Sequence, residues 1–326
     1  MKRVKVVATG GTIASKRDPR TGGAVPTLTG KDMIEALPGI EGFAEVDTEQ
    51  FSNVPSQALT LQQVLELGKR CKELFQRGEA DGAVITMGTN TMAEFAYLLD
   101  LTVDVPNPMV ITGAMRNTSM IAPEGPRNLF DAIVTAASEE ARGKGVLVCM
   151  NGDLLFPRDV VKAHTVAVNT FQDWEFGPLG AVRNNRVIFY RLPTLREKLP
   201  VERITARVDL ITAVGGDDGK LLDASISSGA DGIVLASMGP GHVTPMMTWA
   251  IKKAIDKGIP VVLVSHSYGG NLLENGYGFE GGDIHLRQLG CISGGSLQGL
   301  KARIKLILAL SQTRDTGKIR SMFQNV

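Results

Sequence analysis

Short apolar, β-branched runs in the first half of this chain repeatedly end on a glycine. Val4, Val6, Val7 and Ala8 lead into Thr9-Gly10-Gly11, and Ala83, Val84, Ile85 and Thr86 stop just before Gly88. Met109, Val110, Ile111 and Thr112 run into Gly113, and residues 146–150 stop at Asn151-Gly152. Runs this short and apolar are buried strands, and the glycines that end them mark tight turns. The intervening stretches are apolar at helical spacing: Leu61, Val64, Leu65, Cys71 and Leu74 within 60–76, Met92, Phe95 and Leu99 within 91–101, and Leu129, Ile133 and Ala137 within 125–141. Strand, glycine turn and helix in repetition predict an α/β fold, a parallel-type sheet with flanking crossover helices. Ligands of such sheets collect at the carboxyl ends of the strands, where these glycines fall.

The pattern breaks at residues 191–206, where Pro193 and Pro200 punctuate a charged stretch. It resumes with strands at 208–214, 232–236 and 260–264, helices at 221–229 and 243–257, and a last helix at 297–310 carrying Leu300, Ile304, Ile307 and Leu308. The expected organisation is an N-terminal domain over 1–190, a linker over 191–206, and a smaller α/β C-terminal domain over 207–326.

Charge narrows the partners. The 35 Lys+Arg against 34 Asp+Glu leave a net +1, without the basic tract that nucleic acid or an anionic membrane would require. No apolar run is long enough for a bilayer span, and residues 4–8 are too few for a signal-peptide core, so a cytoplasmic chain with a small-molecule partner is expected. Cys71, Cys149 and Cys291 are odd in number and far apart, which suits reduced, buried thiols rather than metal ligands. The four histidines show no metal-binding spacing, so no metal is expected. Trp174 and Trp249 read as core or interface aromatics.

Two strand ends present a threonine after glycine: Thr12 after Gly10-Gly11, and Thr89 after Gly88. A backbone of glycines can approach a ligand closely and offer N–H groups to a developing oxyanion. A hydroxyl is a weak nucleophile at neutral pH and needs a base within hydrogen-bond reach. Lys162, among the apolar Val160, Val161 and Ala163, is a candidate, because burial would lower its pKa. On residue type alone a plain turn and a solvated lysine are the favoured readings, since Gly-Gly turns are common and the chain has 35 basic residues.

The wider set of motifs reduces that ambiguity. Ala8-Thr9-Gly10-Gly11-Thr12-Ile13-Ala14, Thr89-Asn90, Gly113-Ala114-Met115-Arg116, Glu124-Gly125-Pro126, Arg158-Asp159 with Lys162, Phe176-Gly177-Pro178-Leu179-Gly180 and Lys301-Ala302-Arg303 occur in this order. Together they resemble the bacterial-type L-asparaginase family. The resemblance implies a homotetramer built as a dimer of dimers, no cofactor, and active sites between subunits. It assigns Thr12 as the nucleophile and Thr89 as a second threonine working with Lys162. It gives Ser56 and Gln57 to the substrate's α-carboxylate and α-amino groups and the backbone near Thr89 and Ala114 to oxyanion and amide recognition, with Gly11 and Gly88 also expected to bind substrate.

Departures from the family pattern are equally informative. The usual His-Gly-Thr-Asp is Met87-Gly88-Thr89-Asn90, so the catalytic lysine's partner is a neutral amide. The loop that carries a tyrosine in the family reads Gly22-Gly23-Ala24-Val25-Pro26, and the Gly-Asn-Gly turn reads Gly239-Pro240-Gly241. Pro240 and His242 are then the candidate substrate-selecting residues of that turn, and Asp283 the candidate acid supplied by a neighbouring subunit. The expected activity is hydrolysis of a small carboxamide, asparagine or a related amide. Two alternatives stand beside it: an amide, imide or lactam substrate without a free α-amino group, and a catalytically silent small-molecule binding protein.

Overall fold

The structure, a computed structural model, describes residues 1–194 and 196–324. The chain divides into two compact units, Met1–Lys198 and Leu199–Val326. Leu195 of the expected linker, and Asn325 and Val326 of the expected C-terminal domain, lie outside the described residues.

The N-terminal unit is organised by an eight-stranded sheet. Its strands are β1 (Arg3–Ala8), β2 (Glu45–Gln50), β3 (Gly82–Thr86), β4 (Met109–Thr112), β5 (Val146–Met150), β6 (Asp153–Leu155), β7 (Gly180–Arg183) and β8 (Arg186–Phe189), in the spatial order β8-β7-β6-β5-β4-β3-β1-β2. Pairing is parallel from β2 through β5, and antiparallel from β5 through β8. The parallel part carries the expected apolar runs: β3, β4 and β5 are buried along their whole length. The run of residues 45–50, Glu-Val-Asp-Thr-Glu-Gln, carries no such signal, because an edge strand pairs on one side and keeps polar side chains.

Helices α1 (Gly30–Glu35), α2 (Leu61–Gln76), α3 (Met92–Thr102) and α4 (Gly125–Ala137) belong to this unit. Thr60 and Gln63 cap α2 reciprocally, each side chain accepting the other's backbone N–H. The apolar pattern of 125–141 predicts one helix, but α4 ends at Ala137. Ser138 turns extended and its side chain accepts the N–H of Glu140, starting a separate one-turn helix Glu139–Ala141. The stretch after β8 contains no helix or strand before Val208 among the described residues. Its first part is held to the N-terminal unit: Arg191 Nη2 donates to Asp173 Oδ2 at 2.9 Å, and Lys198 Nζ to the Val103 carbonyl at 2.8 Å.

The C-terminal unit has a four-stranded parallel sheet, β9 (Val208–Thr212), β10 (Gly232–Ser237), β11 (Val261–Ser265) and β12 (Ile292–Ser293), in sequential order. Helices α5 (Lys220–Ser227), α6 (Thr248–Asp256), α7 (Asp283–Leu289), α8 (Gly299–Gln312) and α9 (Thr316–Met322) accompany it. The helix expected from residue 243 begins only at Thr248. Thr244, which precedes Pro245, is extended, and a single tighter turn Pro245–Met247 intervenes. Helices α7 and α9 are too short for a clear periodic signal; α9 is marked by Asp315, whose side chain accepts the N–H groups of Gly317 and Lys318.

All three cysteines are free and buried, and burial pushes the thiols of Cys71 and Cys291 up to about 12. Trp174 and Trp249 are 59% and 48% exposed, so neither is a core residue. Among the described residues, no helix is long and apolar enough to cross a membrane.

Gly82 shows how tightly α4 sits on the sheet, since a Cβ there would stand 2.1 Å from the carbonyl oxygen of Ala136. Gly82→Ala forces that helix end away from β3. Its expected cost is about 1–3 kcal/mol, read as a lower urea midpoint with an unchanged slope.

Candidate active site

Strands β1 and β3 lie side by side with Ala8 opposite Thr86, so the turns that leave them meet. Thr9 donates both its N–H, at 3.0 Å, and its hydroxyl, at 2.8 Å, to the Thr86 carbonyl. One residue pair further on, backbone packs on backbone. Gly11 has φ 81°, and a Cβ on it would fall 2.3 Å from the Gly88 nitrogen. Gly10, at φ 104°, would place one 2.5 Å from the Val54 nitrogen. No side chain fits at either position, which is the physical reason for the paired glycines. Gly11 N–H donates to Val54 O at 3.1 Å, drawing in the loop after β2. A one-turn helix Thr12–Ala14 follows, and Ser15 Oγ closes back on the Gly11 carbonyl at 2.8 Å.

The three loops enclose a pocket of about 150 Å³. Gly11, Thr12, Ser56, Gln57, Gly88, Thr89 and Asn90 all line it, so most residues singled out in the sequence share one wall. Ala24 and Pro26, from the loop that lacks the family's tyrosine, complete the lining together with Ser15 and Pro55, which had not been singled out. Ala24 and Pro26 arrive on a short antiparallel hairpin, Ser15–Arg17 with Ala24–Pro26. The hairpin is latched from the loop after β4: Thr118 donates its N–H, at 3.2 Å, and its hydroxyl, at 2.9 Å, to Ser15 O, and Ser119 Oγ accepts from Arg17 N at 3.0 Å. The apolar side chains at 24 and 26 sit in the stretch that the resemblance marks as the tyrosine-bearing loop of the family, and that periodicity alone reads only as a loop.

Lys162 reaches this wall from a two-residue strand, Val161–Lys162, paired with Phe171–Gln172. Its Nζ donates to Thr89 Oγ1 at 3.0 Å and to Asn90 Oδ1 at 3.0 Å. The other end of the Asn90 amide donates to Gln57 Oε1 at 3.4 Å. Burial lowers the Lys162 pKa from its ordinary 10.5, and no carboxylate opposes that shift. Thr89 is buried and has a base within reach, whereas the half-buried Thr12 hydroxyl has no hydrogen-bond partner among the described residues. Ser56 Oγ is buried and likewise unpartnered.

The wall is backed by a polar frame. Glu124 accepts the N–H groups of Met115 and Arg116, the latter at 3.2 Å. Asn128 donates to Gly113 O at 3.0 Å and accepts from Asn151 N at 3.0 Å. Ala114, between these anchors, is fully buried and is not among the lining residues.

Pro240, His242 and Asp283 belong to the C-terminal unit and are brought together there. Residues 239–241 form a tight turn closed by Met238 and His242. The His242 ring stands edge-on to Tyr277, at 4.9 Å, and to Phe279, at 5.1 Å, with Nε2 3.7 Å from Asp283 Oδ1. Asp283 is buried and accepts the N–H groups of Gly276 and Tyr277, both at 2.8 Å. Burial raises its pKa, but these donors together with its own N–H and the His242 charge outweigh it and hold the carboxyl below its usual range. Asp283 therefore folds its own loop as well as facing His242. His164 is likewise structural, its Nδ1 accepting from Val166 N and Ala167 N.

A larger cavity of about 270 Å³ also lies in the C-terminal unit, between Leu263, Leu272, Cys291 and Phe323. Its Arg320 is committed to the carbonyls of Gly290 and Cys291, and its walls hold no hydroxyl paired with a base. Of these two cavities, the smaller one is where a hydroxyl and a base meet. A hydroxyl beside a half-buried lysine, with glycine backbone alongside, is an arrangement for acyl transfer.

Comparison with known proteins identifies the family. Residues 3–195 match the family described as Asparaginase, N-terminal, and residues 207–323 match the Glutaminase/Asparaginase C-terminal domain. A probable periplasmic L-asparaginase of Haemophilus influenzae is 34% identical over 100% of this chain and 93% of its own. A glutaminase-asparaginase of Pseudomonas fluorescens is 30% identical over 99% of this chain and 90% of its own. The crystal structure of a probable cytoplasmic L-asparaginase from Campylobacter jejuni superposes with a TM-score of 0.88 at 34% identity, covering 99% of both chains.

The lowered Lys162 pKa carries a stability signature. Between its folded value and 10.5 the unfolded chain holds a proton that the folded protein has released, so this group's contribution to stability rises with pH through that window. Below the window the cost of burying the ammonium is fully present. Lys162→Met abolishes the titration. The stability of wild type relative to Lys162→Met is therefore expected to improve as the pH is raised from neutrality toward the ordinary lysine value in urea unfolding. A difference that stays flat with pH would show that the lysine is not buried as described.

Proposed function

Because this chain belongs to the bacterial-type asparaginase family, we propose that the strand-end pocket is the amide-cleaving centre of an asparaginase-like amidohydrolase acting on a small carboxamide, asparagine or a close relative. The observation that carries this reading is the 3.0 Å hydrogen bond from Lys162 Nζ to Thr89 Oγ1. In its neutral form Lys162 accepts the Thr89 proton as Oγ1 attacks the carboxamide carbon. The carbonyl oxygen gains the charge, and N–H groups on the glycine turns are placed to hold it. Collapse expels ammonia, with the lysine returning the proton to the leaving nitrogen. Water then cleaves the threonyl ester to the carboxylate and the free hydroxyl. The resemblance assigns the attack to Thr12, whereas the hydrogen bonds within this unit give the base to Thr89. Thr12, on the same wall, is read here as a donor to the substrate.

Ammonia release tests the reading. Thr89→Val and Lys162→Met are each expected to lower kcat by about 10²–10⁴-fold. Mass spectrometry of acid-quenched enzyme assigns the attack: an acyl adduct on the peptide of Thr89 supports it, and one on the peptide of Thr12 returns the nucleophile to Thr12. Full activity in Thr89→Val would overturn the proposal outright.

We also propose a homotetramer, a dimer of dimers with active sites completed between subunits. The resemblance supports this reading. Light scattering should give four times the 34.8 kDa chain mass. A cytoplasmic location is supported by the three buried free thiols, which suit a reducing compartment.

A further inference from the structure

Lys162 is the last residue of its strand, and the ladder that holds it is two residues long: Lys162 pairs with Phe171, and Val161 with Gln172. A ladder this short is marginal by itself and frays from its open end unless the connection beyond it is closed. Its root is fixed by burial of Val160, Val161 and Phe171. Its tip is fixed by side chains. Ala163 N–H donates to the Thr170 carbonyl at 2.8 Å, and the buried Thr170 hydroxyl bridges His164, accepting its N–H at 2.7 Å and donating to its carbonyl. His164 closes the rest of the loop, since its Nδ1 accepts the N–H groups of Val166 and Ala167, both at 3.0 Å. These are the amides two and three residues on that an Asn or Asp oxygen accepts where a chain turns, so the imidazole takes the part of a capping side chain. Neither N–H has another acceptor among the described residues.

The loop is exposed, so water can replace these bonds if the acceptor is removed, and the loss falls on geometry more than on stability. Chain order carries that loss to the chemistry. His164 stands two residues beyond Lys162, whose Nζ has to lie 3.0 Å from both Thr89 Oγ1 and Asn90 Oδ1. A displacement of about 1 Å at a reacting group can cost ~10²-fold in rate. We infer that His164 is a positioning residue of the amide-cleaving centre: its Nδ1 keeps the connection 163–170 closed, and the closed connection keeps the Lys162 amine on Thr89. His164 acts through Lys162 alone. This inference rests on the reading of Lys162 as the base.

A crossed pair of variants separates the acceptor from the ring. His164→Phe keeps an aromatic ring and loses the acceptor, whereas His164→Asn loses the ring and keeps an oxygen able to accept the same two amides. With ammonia release from L-asparagine as the assay, His164→Phe is expected to lower kcat by about 10–10²-fold with KM within about threefold, and His164→Asn to keep kcat within about threefold of wild type. Wild-type kcat in His164→Phe overturns the inference, as does an equal loss in both variants, or a loss accompanied by a change of mass in light scattering, which would assign His164 to a subunit contact. The amidohydrolase reading survives all three; full activity in Lys162→Met is what removes Lys162 as the base. A second readout needs no turnover. In urea unfolding, the pH-dependent stability difference between wild type and Lys162→Met is expected to flatten when both carry His164→Phe, because a lysine released to water titrates as it does in the unfolded chain, and to persist when both carry His164→Asn. A difference that persists in the His164→Phe pair shows Lys162 held in place without the acceptor and overturns the inference.

Discussion

The candidate site depends on a contact between two stretches of backbone. The turn after β1 lies on the turn after β3 so closely that Gly11 leaves no room for a methyl group beside the Gly88 nitrogen. That approach sets Thr12 and Thr89 on one wall, and Gly10 performs the same service for the loop that carries Ser56 and Gln57. Side-chain chemistry is thus placed by the absence of side chains. A strand pair this short positions groups more rigidly than loops alone could, because its register fixes where each turn begins.

Lysine, threonine and asparagine form a small electrostatic unit whose character comes from its neutrality. An aspartate in place of Asn90 would stabilise the ammonium of Lys162 and keep it protonated. The amide oxygen still orients the amine, while burial favours the uncharged form. The neutral residue at 90 therefore acts on the readiness of the base, through the balance between burial and charge at Lys162.

Much of this was legible in the chain. Strands β3, β4 and β5, buried along their whole length, announce themselves because nearly every residue is apolar, β1 does so over residues 4–8 despite Lys5, and the glycines that end them point at the site. The edge strand β2 and the short helices α7 and α9 gave little signal, since half-exposed or seven-residue elements hold too few apolar positions to show a period. Lys162 was singled out only through the resemblance. Its two-residue strand is built by pairing with Phe171–Gln172, a contact that spacing along the chain does not encode. Ser15 and Pro55 escaped for a related reason: a wall residue need carry no chemistry, only shape.

The latch on the hairpin has a kinetic consequence. Ser15 is tied at its hydroxyl to Gly11 and at its carbonyl to Thr118, so the wall bearing Ala24 and Pro26 is not an independent flap. Swinging it out by its root would break bonds to two other loops and disturb the turn that holds Thr12. Traffic through this side of the pocket is therefore cheapest by bending at the tip, where Gly22, in the left-handed region, has nothing within 4 Å of its would-be Cβ. Entry and exit are in this way separated from the geometry of catalysis, and the hairpin can yield at its far end while its near end stays in register.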